Sequence, residues 1–174
     1  MKELELAAPV ERYLTDRGYR VWVDPDGTDY FDLVAKRGGE VGLVELKVAD
    51  WRKVLAQAVR RRAWGDWVAV TIARESLARK LIALPVSERS QRVGVWTVSK
   101  AGELVVLREA QTMWSSGEPD PFADLRRDFA RLLLLLERGE IPAGIEWSFL
   151  NARARRALGG RSTRDWRLDE FSER

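Results

Sequence analysis

The chain has 174 residues, of which 45% are hydrophobic and 33% charged, a composition typical of a globular domain rather than of a disordered chain. It contains no cysteine and no histidine, which excludes thiol nucleophiles, Ser-His-Asp triads and zinc sites of the usual Cys and His type. Any metal must therefore be held by oxygen ligands, which suit magnesium or manganese. The net charge of +3 is too small to indicate nucleic-acid binding by itself.

The first part of the chain predicts two helices and three strands. Apolar residues recur at helical spacing before Gly18, a residue that commonly ends a helix. Gly38 and Gly39 lie between two β-rich segments and predict a hairpin turn, and Asp50 is a predicted helix N-cap. The predicted elements are helices over 4–17 and 51–64 and strands over 19–24, 30–36 and 40–48.

The second part predicts further strands and then a helical extension. Its predicted elements are a strand over 67–73, a helix over 76–86 interrupted at Pro85, hairpin strands over 92–98 and 103–109, and a helix over 122–138. The order is that of an α/β protein with a mixed central sheet flanked by helices. We expect a core over 1–112 and a helical, arginine-rich C-terminal extension over 113–174.

The first hairpin carries the candidate chemistry. If the turn is centred on Gly38 and Gly39, paired residue numbers sum to 77, which places Asp32 opposite Glu45. Strand alternation then places Lys47 on the same face as Glu45. Two carboxylates about 5 Å apart repel each other, and a divalent cation between them, helped by the Lys47 ammonium, offsets that repulsion. These groups suit phosphodiester hydrolysis, with Lys47 orienting the nucleophile or stabilising the transition state.

The same residues resemble a known superfamily. The segment DLVA beginning at Asp32, followed by VELK beginning at Val44, is similar to the PD-(D/E)XK nucleases, and the resemblance covers about 2–73. The superfamily's proline before the aspartate is replaced by Phe31. Asp29 is a rival for the aspartate role, but alternation places it on the opposite strand face.

The resemblance implies a restriction endonuclease-like α-β-β-β-α-β core that cleaves DNA with Mg²⁺ or Mn²⁺. It assigns the metal to Asp32 and Glu45, with Lys47 as the third catalytic residue. Glu3 would add a carboxylate to the metal shell. Gln57 and Arg61, one helical turn apart, would contact substrate phosphate or support Glu45. Arg60 belongs to the run Arg60-Arg61-Arg62, which is a candidate phosphate-binding patch. RNA as substrate and a homodimer as assembly stay open.

Other interpretations stay open for each of these residues. Asp32, Glu45 and Lys47 also suit an internal salt bridge, either in a structural or oligomerisation protein or in a nucleic-acid-binding module that has lost cleavage. Glu3 also suits an exposed first-turn position, where Glu5 and Glu11 compete with it. Gln57 and the run Arg60-Arg61-Arg62 also suit a solvated helix surface.

The remaining expectations concern surroundings and location. Tryptophans in strands, such as Trp22, Trp67 and Trp96, are expected in the core rather than stacked on bases. Arginines over 153–167 are candidates for binding a nucleic-acid backbone. No apolar stretch approaches the length of a membrane span and no signal peptide is recognisable, so a cytoplasmic location without a membrane partner is expected.

Overall fold

The protein is an α/β protein built on one mixed, open six-stranded sheet. The structure is a computed structural model that describes residues 3–23, 32–48, 51–114, 117 and 119–138. The strands lie side by side in chain order, as β1 (Arg20–Val23), β2 (Leu33–Arg37), β3 (Glu40–Lys47), β4 (Trp67–Ile72), β5 (Gly94–Val98) and β6 (Leu104–Arg108). Strand β2 is antiparallel to both β1 and β3, strands β3, β4 and β5 are parallel, and β6 is antiparallel to β5.

The described residues form the helices α1 (Glu3–Thr15), α2 (Trp51–Arg61), α3 (Glu75–Ile82), α4 (Glu88–Gln91) and α5 (Ala123–Glu137). Of these, α1 and α2 lie on opposite faces of the sheet. Parallel neighbours need a crossover connection, which α2 provides between β3 and β4, and α3 with α4 between β4 and β5. Residues of α1 share a buried cluster with Leu33, Val44 and Leu46. Strand alternation turns Glu45 to the other face, where α2 contacts β3 and β4.

Helix α1 ends as the glycine in its sequence predicts. Gly18 has a φ of 80°, its N–H donates to the Thr15 carbonyl at 2.9 Å, and the Tyr19 N–H donates to the Leu14 carbonyl at 3.0 Å. This pair of bonds is a Schellman motif, which satisfies carbonyls left open at the helix end. Leu14 and Tyr19 belong to the same buried cluster, so the motif turns the chain directly into the core.

The hairpin of β2 and β3 has the predicted register. Leu33 pairs with Val44, Val34 with Leu43 and Arg37 with Glu40, so paired residue numbers sum to 77. Gly38 in the turn has a φ of 59°, a conformation that costs a non-glycine residue energy. The side chains of β2 and β3 therefore alternate between the two sheet faces in the way that the predicted site requires.

Aromatic rings fill the α1 face of the sheet. A Cβ added to Gly42 would lie 1.9 Å from Cζ2 of Trp67, so the indole of Trp67 occupies the space above that glycine. Trp67 also contacts the Tyr19 ring edge-on at a centroid distance of 5.7 Å and the Trp96 ring at 6.1 Å. Trp67 and Trp96 are core residues, as predicted, whereas Trp22 on the edge strand β1 is half-buried.

The boundaries of several elements differ slightly from prediction. The strand predicted over 30–36 is observed as Leu33–Arg37, and the helix predicted over 51–64 ends at Arg61. The one-turn helix α4 was not predicted, because a single turn has no hydrophobic period. Its N-cap is Ser87, whose Oγ accepts the Ser90 N–H at 3.3 Å.

The chain divides into two compact units, Met1–Asp120 and Pro121–Arg174. The first contains the sheet and helices α1 to α4, and the second contains α5. The extent of the predicted extension over 113–174 stays a prediction, and its arginines over 153–167 lie outside the described residues. No helix in the described ranges has both the length and the apolar character that crossing a membrane requires.

Candidate active site

Asp32 is held against strand β3 by a backbone hydrogen bond. It is half-buried and directly precedes β2, and its Oδ2 accepts the N–H of Leu46 at 2.6 Å. Continuing the hairpin register by one residue places Asp32 opposite Glu45. The carboxylate of Asp32 therefore lies beside the segment from Glu45 to Lys47, as the sequence analysis expects.

Glu45 is buried and forms an ion pair with helix α2. The Nε of Arg61 donates to Oε1 of Glu45 at 2.6 Å, with side-chain exposures of 14% for Arg61 and 5% for Glu45. The crossover helix brings Arg61 here because α2 covers the face of β3 to which Glu45 points. Of the two roles predicted for Arg61, the structure shows the support of Glu45. Solvated helix surface is the wrong interpretation for this residue.

Arg61 changes the electrostatics of this site. From the sequence, a divalent cation is expected to offset the repulsion between Asp32 and Glu45. In the structure Arg61 neutralises much of the Glu45 charge, and the Leu46 N–H stabilises the carboxylate of Asp32. The protein therefore does not depend on a cation to bring the two carboxylates together.

Gln57 lies one helical turn before Arg61 on α2. Its Oε1 is buried and has no hydrogen-bond partner among the described residues. Buried polar atoms nearly always have a partner in protein or in water, so this oxygen needs a donor or a cation that the described residues do not supply. Nε of Arg60 is likewise buried without an acceptor in the described part. Gln57 and Arg60 are thus half-buried groups rather than freely solvated ones.

Lys47 is the last residue of β3 and is half-buried. Because side chains alternate along a strand, Lys47 is on the same face of the sheet as Glu45. Its carbonyl accepts the N–H of Ala73, which ties the end of β3 to the residue after β4. The backbone of Lys47 is thereby fixed at the end of β3, two residues after Glu45.

The residues present fit a magnesium or manganese ion. Magnesium is commonly bound by one or two carboxylates, with water and substrate phosphate completing its shell. A carboxylate offers about four lone-pair directions, so the ion pair with Arg61 leaves Glu45 with further acceptor capacity. The unpartnered Oε1 of Gln57 adds an oxygen acceptor on the helix that covers this face. Over the described ranges, no cluster of three or more Asp, Glu, His or Cys residues has a metal-binding arrangement.

Three other residues named from the sequence are Glu3, Asp29 and Arg62. Glu3 is the first residue of α1, and its side chain lies outside the described part, as does the whole of Asp29. Arg62 is 4% exposed, its guanidinium lies 5.5 Å from the centroid of the Trp114 ring, and its carbonyl accepts the indole N–H of Trp114 at 3.2 Å. The interpretation of Arg60-Arg61-Arg62 as a solvated run is therefore wrong for Arg62.

The hydrogen bond that anchors Asp32 could not be predicted from the sequence, because the Leu46 N–H is a backbone group and carries no signal there. Comparison of the chain with protein-family models, with curated proteins and with solved structures finds no match. The residues of the site and the resemblance of their pattern are therefore the basis for a functional proposal.

Proposed function

We propose that the protein is a metal-dependent nuclease that hydrolyses DNA phosphodiester bonds. One observation carries the proposal: Asp32, on the hydrogen bond from the Leu46 N–H, is held beside buried Glu45 at the end of β3 where Lys47 also lies. This is the arrangement that the PD-(D/E)XK resemblance implies for its catalytic residues. The described element order, α-β-β-β-α-β through β4, is compatible with a restriction endonuclease-like core.

Each residue has a role in this proposal. Asp32 and Glu45 would hold Mg²⁺ or Mn²⁺, with Glu3 as a further candidate ligand. When bound, the ion lowers the pKa of a coordinated water and neutralises charge on the phosphate. The Lys47 ammonium orients the attacking water and stabilises negative charge on the phosphate oxygens. Arg61 is a positioning residue that fixes the Glu45 carboxylate through their ion pair. Gln57 and Arg60 are candidate substrate contacts.

Cleavage assays test the proposal. Supercoiled plasmid, single-stranded DNA, branched DNA and RNA are incubated with the protein and either Mg²⁺ or Mn²⁺. We expect Asp32→Asn, Glu45→Gln and Lys47→Met each to lower the cleavage rate by at least about 100-fold. Glu40→Gln is the matched control, because Glu40 is a carboxylate on the same strand that binds Tyr19 and Arg37 instead. Cleavage that persists in the three site variants would contradict the proposal.

The ion pair of Arg61 with Glu45 favours a second candidate, a module of the same fold that does not cleave. Metal-linked stability separates the candidates, because a ligand that binds only the folded state raises the melting temperature. A nuclease site predicts stabilisation by Mn²⁺ that Asp32→Asn abolishes. Stabilisation and DNA binding without cleavage indicate a nucleic-acid-binding module. Absence of any Mn²⁺ effect indicates a structural salt bridge.

A further inference from the structure

A groove of about 1120 Å³ lies between the end of α3, the α4 segment and the chain that follows β6. None of the proposed catalytic or substrate-contacting residues lines it. Across the sheet Glu45 pairs with Val70, Val70 with Val95 and Val95 with Arg108, so Arg108 lies three strands away from Glu45 in the same row. Thr112 bridges to Trp67 at the start of β4, whereas Lys47 is at the end of β3. The groove is thus separate from the proposed active site.

Arg108 brings a positive charge into this groove without an acidic partner in the described part. Its Nε donates to the Val93 carbonyl at 2.9 Å and its Nη2 to the Ser90 carbonyl at 3.1 Å. Both acceptors are neutral backbone groups, and the side chain is partly buried. Burial lowers the pKa of Arg108, since it removes water from the charged form. A guanidinium fixed by carbonyls and lacking a counter-charge is a ready binding site for an anion.

The other charged groups of the groove leave a positive surplus. Arg92 has a side-chain exposure of 15%, and its Nη2 donates to Oε1 of Glu88 at 2.9 Å. Its Nη1 donates to the Met113 carbonyl at 3.5 Å. Glu88 is the acidic residue among those that line the groove, and its side chain is 82% exposed. Glu88 therefore balances one arginine, and the charge of Arg108 is left over.

The rest of the lining is largely apolar. It includes Ile82, Leu84, Pro85, Val86 and the indole of Trp114. Leu84 is 41% exposed, which is the largest exposure of a big hydrophobic side chain in the described part. Trp114 is held in place by the bond from its Nε1 to the Arg62 carbonyl. A ligand here would place an apolar body on these side chains and an anionic group near Arg108.

We propose that this groove binds a small organic anion, with its phosphate or carboxylate against Arg108 and its apolar or aromatic body against Trp114 and the 84–86 segment. The groove volume exceeds the range of about 300–1,000 Å³ typical of small-molecule pockets, so it accommodates a ligand of nucleotide size. Charge complementarity selects an anion, and the apolar lining selects an organic ligand over a bare inorganic ion.

Fluorescence titration tests the proposal on the full chain. The probe is 8-anilinonaphthalene-1-sulfonate, and N-phenyl-1-naphthylamine, which lacks the sulfonate, is its neutral analogue. We expect saturable binding of the sulfonate that Arg108→Gln weakens at least tenfold, while affinity for the neutral analogue is unchanged. Arg12→Gln is the matched control, since it removes an equal charge from α1 outside the groove. Displacement by adenosine monophosphate or by 1-naphthoate then distinguishes a phosphate from a carboxylate ligand.

Equal sulfonate affinity in the wild type and in Arg108→Gln would overturn the proposal, as would the absence of a saturable site in the wild type. Because Arg108→Gln also removes two bonds to carbonyls, a second measurement covers loss of folding. In ¹⁵N spectra of the wild type, the indole N–H of Trp114, assigned with Trp114→Phe, should shift on adding 1-naphthoate. The indole N–H of Trp96, on the α1 face, should not shift. Unchanged Trp114 signals would equally reject the site.

Discussion

Two buried threonines on neighbouring strands differ in one hydrogen bond. Thr97 Oγ1 donates to the Ile72 carbonyl at 2.8 Å, whereas Thr71 Oγ1 is buried and has no partner among the described residues. Both side chains are fully buried. An unsatisfied buried hydroxyl is costly, whereas a satisfied one contributes about 1 kcal/mol. Replacing Thr97 therefore removes a hydroxyl together with its hydrogen bond, whereas replacing Thr71 removes a hydroxyl alone.

Thr71→Val is predicted to raise the free energy of unfolding by about 1 kcal/mol, because it removes an unsatisfied hydroxyl at nearly constant shape. Thr97→Val is predicted to lower it by about 1–2 kcal/mol, because the hydrogen bond from Thr97 Oγ1 to the Ile72 carbonyl is lost. Urea unfolding of both variants measures the difference. A loss of stability in Thr71→Val as large as in Thr97→Val would show that the Thr71 hydroxyl is satisfied, for example by water.

Tyr19 makes stability depend on alkaline pH. Burial, together with the hydrogen bond that its hydroxyl donates to Oε2 of Glu40 at 2.7 Å, raises the pKa of Tyr19 to about 12 from 10.0. The folded state thus holds this proton more tightly than the unfolded state. The stabilisation is fully present below pH 10 and is lost as the pH rises toward 12.

We therefore expect the free energy of unfolding of the wild type to fall relative to that of Tyr19→Phe between about pH 10 and pH 12. Denaturant unfolding of both proteins at several pH values in this range measures it. Comparing the two cancels the titration of lysines and of the other tyrosines. Parallel stability curves across the range would contradict the prediction.

At the scale of elements, the turn between β2 and β3 sets the register of the candidate site. Gly38 has a φ of 59°, whereas Gly39 has an ordinary backbone conformation. A Cβ on either residue would meet nothing within 4 Å. Both positions therefore have space for a Cβ, and they differ only in backbone conformation.

Gly38→Ala is predicted to lower the free energy of unfolding by about 1–2 kcal/mol, because a Cβ disfavours the left-handed region. Gly39→Ala is the control, and we expect it to change stability little or to raise it slightly, because alanine restricts the unfolded chain. Thermal or urea unfolding distinguishes the two. Equal effects of the two substitutions would mean that the turn adjusts its conformation freely.

The hairpin also shows what periodicity could predict about the site. Period-2 alternation and a glycine pair were enough to place Asp32 opposite Glu45. The glycine pair marks the centre of the turn and so sets the register, and alternation assigns each side chain to one of the two sheet faces. The same reasoning placed Lys47 on the Glu45 face. Local patterns of this kind depend on residues close together in the chain, which is why the sequence predicted them.

At the scale of the whole molecule, the proposed active site and the proposed anion groove lie at different places on one sheet, with Arg108 three strands away from Glu45. The proposed active site depends on a crossover helix, because α2 places Arg61 against Glu45. The groove forms where α3, α4 and the chain after β6 converge. Its two arginines, Arg92 and Arg108, drew no attention in the sequence, because nothing near them in the chain shows that they line the same groove.

The sequence by itself determined the α/β class, the order of the elements apart from α4, the end of α1 at Gly18 and the hairpin register, since each follows from local spacing and turn chemistry. Only the tertiary structure decided that Arg61 pairs with Glu45 rather than facing solvent, and that the Leu46 N–H holds Asp32. It alone showed that Arg62 is buried against Trp114 and that Arg108 faces a groove. These contacts join segments far apart in the chain, and their partners are set by how helices pack on the sheet, which residue spacing does not encode.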